Sequence, residues 1–143
     1  MPELAPYLNF KGNCEQAFEF YKSVFGGEYA TFVRFSEMPP MPDAEMPPHV
    51  AKLISHVALP IGHGTLMGSD AAEGFGPPHK QGNNFSISIN VESKEEAKKL
   101  FNGLSAGGNV TMPLDDAPWG AYFGMWEDKF GINWMVNHDE RQK

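Results

Sequence analysis

The chain has one cysteine, Cys14, in 143 residues, so no disulfide can form within it. That scarcity fits a reducing, intracellular setting, and a cytoplasmic location is expected. Cys14 itself suits a small apolar place in a first helical turn. A reactive thiol is the weaker alternative, even though a helix N-terminus lowers thiol pKa. No apolar run approaches the ~20 residues of a membrane span, and no basic segment followed by an apolar one opens the sequence at Met1-Pro2-Glu3-Leu4-Ala5. Positive charge is also scarce. Lys and Arg number 11 against 18 Asp and Glu, for a net charge of −7 and a pI of about 5.1. Nucleic acid and anionic membrane are therefore poor partners. A Gly-x-Gly-x-x-Gly turn between a strand and a helix is missing too, which argues against nucleotide-type cofactors and against S-adenosylmethionine-dependent methyl transfer.

What is present suits a single globular domain spanning 1–143. Hydrophobic residues make up 41% of the chain. A domain of this size buries roughly 68–70% of its unfolded surface, so its stability requires no structural metal. The clearest element runs from Asn13 to Glu28. Cys14, Ala17, Phe18, Tyr21, Val24 and Phe25 recur at helical spacing and predict one buried stripe, widened by Phe20. Glu15, Glu19 and Lys22 fall on the water-facing side. Asn13 is placed as N-cap with Gln16 as its capping-box partner, and Gly26 and Gly27 stand where a helix C-terminus wants a left-handed residue.

Around this helix the spacing predicts strands over Tyr7–Phe10, Glu28–Phe35, Val50–Leu59 and Thr65–Ser69. Between the second and third strands, Ser36–His49 carries Met-Pro-Pro-Met-Pro and Met-Pro-Pro. Proline at this density supports neither helix nor inner strand, so a long loop is expected. Its methionines and the nearby His49 include copper(I)-type donors. Flexible methionines covering apolar surface are the simpler reading.

The pattern then repeats. Phe85–Val91 alternates as a strand, and Ser93 caps a helix with Glu96 completing Ser-x-x-Glu. Ala97, Leu100, Phe101 and Leu104 form the buried stripe of that helix, and Gly107 and Gly108 end it. A short strand at Val110–Met112, a loop at Pro113–Trp119, and strands at Ala121–Glu127 and Ile132–Asn137 follow. At an offset of about 80 residues Ala17 matches Ala97, Tyr21 matches Phe101 and Gly27 matches Gly107. Each half reads strand, helix, three strands. Module one covers 4–70, a Gly/Pro-rich linker 71–82, and module two 83–138.

One helix can cover only one face of each sheet. Alternation places Phe85, Ile87, Ile89, Val91, Ile132, Trp134 and Val136 under the helix of the second half, and Leu8 and Phe10 under that of the first. The uncovered faces then collect Tyr7, Asn9, Ser86, Ser88, Asn133, Met135 and Asn137, which are uncharged groups suited to neutral hydrogen bonds. Trp119, Tyr122 and Trp126 are available to rim such a surface. Of the five histidines only His56 is expected inside a strand, where it is a candidate pocket group. Asp70 reads as a turn or cap residue.

Several motifs look like one family. Ala-Phe-x-Phe-Tyr-x-x-Val-Phe-Gly-Gly-Glu in the first helix resembles the vicinal oxygen chelate superfamily of glyoxalase I, bleomycin-resistance proteins and extradiol dioxygenases. Tyr7-Leu8-Asn9-Phe10-x-Gly-Asn, Met67-Gly-Ser-Asp70, Pro118-Trp119-Gly120 and Asp128-Lys-Phe-Gly-Ile-Asn-Trp134 are similar to its PhnB-like group. The resemblance implies an α+β fold in which two βαβββ modules form a curled, eight-stranded cup, commonly completed as a homodimer. Metal-using relatives hold a divalent ion there through histidine, glutamine and glutamate. The matching places here are Pro6 or Tyr7, the stretch Met67–Ser69, Phe85 or Ser86, and Met135, and none is a histidine or a carboxylate. The resemblance therefore implies a small organic molecule bound by Tyr7, Asn9, His56, Met67, Ser69, Ser86, Ser88, Trp119, Tyr122, Trp126, Asn133, Met135 and Asn137, with no metal and no cofactor. A divalent-metal-dependent glyoxalase- or dioxygenase-type lyase or isomerase is the alternative. A ligand-free dimer that exchanges its Met/Pro-rich loop is a third reading.

Overall fold

The computed structural model describes residues 2, 4–38, 47–71 and 79–139. Its fold class is α+β, and its two compact units are Met1–Lys80 and Gln81–Lys143. Among the described residues, eight strands fall into two four-stranded mixed sheets. Unit one contains β1 (Tyr7–Phe10), α1 (Cys14–Phe25), β2 (Thr31–Arg34), a short helix α2 (Pro48–Ala51), β3 (Ile54–Ile61) and β4 (Gly64–Asp70), with strand order β1-β4-β3-β2. Unit two contains β5 (Ile87–Asn90), α3 (Lys94–Ser105), β6 (Asn109–Ala117), β7 (Ala121–Glu127) and β8 (Asn133–Asp139), in the order β5-β8-β7-β6. In each unit the first strand pairs parallel with the last, and the remaining pairs are antiparallel. The duplication read from the sequence is thus a duplication of βαβββ topology.

Helix α1 buries Cys14, Ala17, Phe18 and Tyr21. Phe18 lies so close to β4 that a Cβ on Gly68 would come within 2.7 Å of its ring and 2.9 Å of the Leu8 carbonyl. The bare backbone at Gly68 therefore sets how closely helix and sheet approach. In unit two, α3 buries Ala97, Leu100 and Leu104, and Phe101 packs edge-on against Trp126 at 5.3 Å between centroids.

The start of α1 differs from expectation. Asn13 makes no side-chain capping bond. The buried first-turn amide of Cys14 is instead met by Asp70 at the end of β4, whose Oδ1 accepts from it at 2.9 Å while Oδ2 accepts from the Ile54 amide at the same distance. A carboxylate offers two acceptor oxygens and suits a helix N-terminus electrostatically, so a strand residue 56 positions away in sequence displaces the local cap. At α3 the local signal holds, and Ser93 Oγ accepts from the Glu96 amide at 3.1 Å.

Other boundaries moved as well. β2 is shorter than Glu28–Phe35, since it begins only at Thr31 and Phe35–Glu37 turn into a 3-10 segment. The predicted start of the third strand at Val50 is helical. Pro48 takes a first-turn position, where its missing N–H costs nothing, and Val50 is buried. Of the expected loop 36–49, residues 39–46 lie outside the described residues, as do 72–78 of the expected linker. β3 runs on through Pro60, beyond the last β2 pairing at Ala58, where a missing N–H leaves no ladder bond unmade on that side. The strand at Val110–Met112 and the expected loop as far as Ala117 are one strand, β6, with register breaks on either side of Met112, and only Pro118 and Trp119 of that loop lie in a turn. As an edge strand it accommodates Pro113. Phe85, expected under the helix, precedes β5 and is 59% exposed.

A candidate ligand-binding surface

The ladder registers assign residues to the two faces of each sheet, since side chains directly opposite one another on neighbouring strands share a face. In unit one, Leu8 pairs with Gly68 and Gly68 with Val57. Leu8 and Val57 are buried and Gly68 lies beneath Phe18, so these define the face covered by α1. On the open face Tyr7 stands opposite Met67 and Asn9 opposite Ser69. Met67 then meets Ala58, and His56 meets Val33. The His56 ring stacks on Tyr7, with centroids 5.7 Å apart, and the Tyr7 hydroxyl lies 3.4 Å from Nδ1. His79 Nε2 is 3.2 Å from the carbonyl of Asn9. Tyr7, Asn9, His56, Met67 and Ser69, all predicted from the sequence, therefore share one face.

In unit two, Asn133, Met135 and Asn137 stand opposite Glu127, Met125 and Phe123 of β7. Across the other ladder, Met135 meets Ser88 and Asn137 meets Asn90. Ser86 precedes β5, so no ladder pairing fixes its side. Trp119 packs at 5.6 Å from Phe123, at the edge of this open face.

Tyr122 and Trp126 do not join them. Trp126 pairs directly with Trp134 and is 1% exposed. It lies between that indole and the Phe101 ring of α3. Tyr122 shares this covered side, with the Lys94 ammonium of α3 5.0 Å from its ring centroid. Their β7 alternates, Phe123 and Met125, occupy the open face instead. The hairpin register could have shown this. With Trp134 already assigned to the helix side, a turn placing Trp126 opposite it forces Trp126 to the same side.

The same register corrects the expectation of an uncharged surface. Glu127 stands opposite Asn133 on the open side, and Asp115 stands opposite Phe123, with its Oδ1 accepting from the Asp116 amide. Charge on this face is acidic. Among the described residues, the ladder positions on the open face of unit one carry no Lys, Arg, Asp or Glu. His138 also lies within a strand, β8, so His56 is not alone in that. It sits on the helix-covered side opposite Tyr122, with Nδ1 3.1 Å from the Val91 carbonyl.

The donor set does not suit a hard divalent ion. Tyr7 and Met67 are neighbours, as are Ser88 and Met135, and none supplies an imidazole or a carboxylate. Among the described residues no group of three or more His, Cys, Asp and Glu side chains stands together as a metal site. Divalent ions of this kind require several such ligands. Cys14 is also no candidate nucleophile. It is fully buried, and desolvation, with the nearby Asp70 and Glu15 charges adding to it, pushes its thiol pKa far above the usual range.

The family model for the Glyoxalase/Bleomycin resistance protein/Dioxygenase superfamily matches residues 4–136, nearly the whole described fold. The chain belongs to that superfamily. Protein YjdN of Escherichia coli (strain K12) is 32% identical over 97% of both chains. The crystal structure of protein PA1353 from Pseudomonas aeruginosa is 40% identical, with a TM-score of 0.84 over 97% of this chain and 98% of that one. A structure from Bacillus cereus described as a putative 3-demethylubiquinone-9 3-methyltransferase, PhnB protein, shares the fold at a TM-score of 0.74 and 24% identity, covering 96% of this chain and 99% of its own. The PhnB-like resemblance read from the motifs thus has a counterpart among solved structures. Within the superfamily a shared fold does not assign a shared reaction, and no helix among the described residues is long and apolar enough to cross a membrane.

Proposed function

We propose that this superfamily member is a small-molecule-binding protein that works without a divalent metal, with the open sheet face of each unit supplying a binding surface. The observation that carries the reading is the composition of those faces. Tyr7 stacked on His56, together with Asn9, Met67 and Ser69, offers aromatic, thioether and neutral polar contacts. Phe123, Met125, Asn133, Met135 and Asn137 offer the same mixture in unit two. Such surfaces suit an uncharged or cationic organic ligand with an aromatic ring. Amide and hydroxyl groups orient it, and the rings and thioethers supply contact area. Glu127 and Asp115 disfavour an anionic ligand. The protein is proposed to act in the cytoplasm as a homodimer, independent of nucleic acid and membrane.

A thermal-shift screen of aromatic compounds tests this. A ligand at 100 times its Kd stabilises by about 2.7 kcal/mol, which raises Tm by several degrees in a domain of this size. F123A, M135A and Y7A are expected to weaken binding of any hit, each by roughly tenfold or more, while the protein still folds. Absence of saturable binding across the library, or variants with unchanged affinity, would overturn the proposal. Elemental analysis of the purified protein decides against the metal-dependent lyase or isomerase if it finds no stoichiometric divalent ion, and revives that reading if it finds one per chain. Measurable S-adenosylmethionine binding would favour methyl transfer instead.

A further inference from the structure

Three methionines fall in a row across three neighbouring strands of unit two. Met112 in β6 stands opposite Met125 in β7, and Met125 opposite Met135 in β8. Val110, Trp126 and Trp134 form the adjacent cross-strand row, which carries the two indoles buried on the α3 side. The methionine row is therefore on the open side. Neighbouring strands lie about 4.8 Å apart, so the outer two side chains start roughly two such spacings from each other with Met125 between them. Methionine is long, unbranched and adaptable, so three thioethers on this spacing can converge on one point above Met125. The β6 register breaks on both sides of Met112, the kind of irregularity that re-aims a side chain at a sheet edge. Met112 is 44% exposed, which opens the row to incoming solutes. Its nearest charged neighbour along β7 on this face is the carboxylate of Glu127, two residues from Met125.

We infer that Met112, Met125 and Met135 form a binding site for a soft monovalent cation of the copper(I) class. Thioether sulfur is neutral and polarisable. It holds copper(I) or its redox-inert analogue silver(I), and it is a poor ligand for hard divalent ions, which prefer oxygen. Of these three only Met135 falls at a place that matches a metal ligand of metal-using relatives, and Met125 and Met135 also belong to the proposed organic-ligand surface, but copper(I) binding by the three thioethers stands or falls without an organic ligand. Copper enters and leaves as copper(I), so no electron transfer is involved.

The test is anaerobic titration of the full-length protein with copper(I) against a chromophoric chelator. A parallel silver(I) titration is followed through the ¹³C-labelled methionine methyl resonances. One ion per chain is expected, with methyl shifts confined to Met112, Met125 and Met135 and an X-ray absorption spectrum fitted by sulfur neighbours only. M125L is expected to lower affinity by roughly tenfold or more, while M38L leaves it unchanged. Met→Leu conserves volume well enough to keep the fold, which circular dichroism checks. Failure to compete with the chelator would overturn the assignment. So would native-strength binding in the M112L/M125L/M135L triple variant, nitrogen or oxygen ligands in the absorption spectrum, or displacement of copper(I) by equimolar zinc.

Discussion

Asp70 offers the sharpest test of how unit one holds together. Its carboxylate is 4% exposed and accepts from two backbone amides, Cys14 at the start of α1 and Ile54 at the start of β3. D70A strands both buried N–H groups. Each unsatisfied donor costs about 1–3 kcal/mol, so the expected loss is about 2–6 kcal/mol, a large part of the roughly 5–15 kcal/mol that a domain has in total. D70N keeps one acceptor oxygen but turns an NH₂ toward the other amide, so it is expected to lose about 1–3 kcal/mol. N13A is the control. A residue that truly capped α1 would cost ~1 kcal/mol on removal. Asn13 makes no such bond, so N13A is expected to stay within about 0.5 kcal/mol. Urea unfolding with linear extrapolation measures all three, and at the usual m-values of roughly 1–3 kcal/mol/M a 3 kcal/mol loss moves the midpoint by about 1–3 M. If D70A loses under about 1 kcal/mol, or N13A loses more than D70N, the account of this helix start is wrong.

The remaining expectations are simpler. G68A places a methyl group into the Phe18 ring and the Leu8 carbonyl and is expected to cost about 1–3 kcal/mol by overpacking, read from the same urea curves. Native Cys14 should resist a thiol reagent at pH 8 and react only once the protein is unfolded, because it is buried and its thiol is held far above its usual pKa. Glu15 is held below the usual carboxylate pKa, first by its hydrogen bonds from the Arg34 guanidinium at 2.8 and 2.9 Å. A depressed acid contributes stability above its unfolded pKa and loses it as pH falls through the folded value. E15Q should therefore flatten the acid limb of the stability profile below about pH 4.5. The effect should be under about 1 kcal/mol, since both partners are partly exposed.

The sequence by itself determined the duplicated βαβββ plan, the two long helices and the sides of most strands. These rest on local periodicity, and a stripe such as Cys14, Ala17, Phe18 and Tyr21 has one way to be buried. It also placed Tyr7 and Asn9 on one face, because alternation within a strand needs no partner to be read, while Met67 and Ser69 came from the family resemblance and their place opposite those two from the β1–β4 register. Only the tertiary structure decided what depends on which residue lies opposite which. Trp126 and Tyr122 turn inward and Phe123 and Met125 outward because the β7–β8 register pairs Trp126 with Trp134. A shift of one residue exchanges the two faces of a strand, and composition does not record it. The cap of α1 was hidden for the same reason. Asn13 is adjacent to the helix and Asp70 is 56 residues from the amide it caps, yet the fold brings a two-oxygen acceptor to that end, and a local propensity of about 1 kcal/mol yields to it. The row Met112–Met125–Met135 is likewise invisible in one dimension, since its members come from three strands and meet only when the sheet forms.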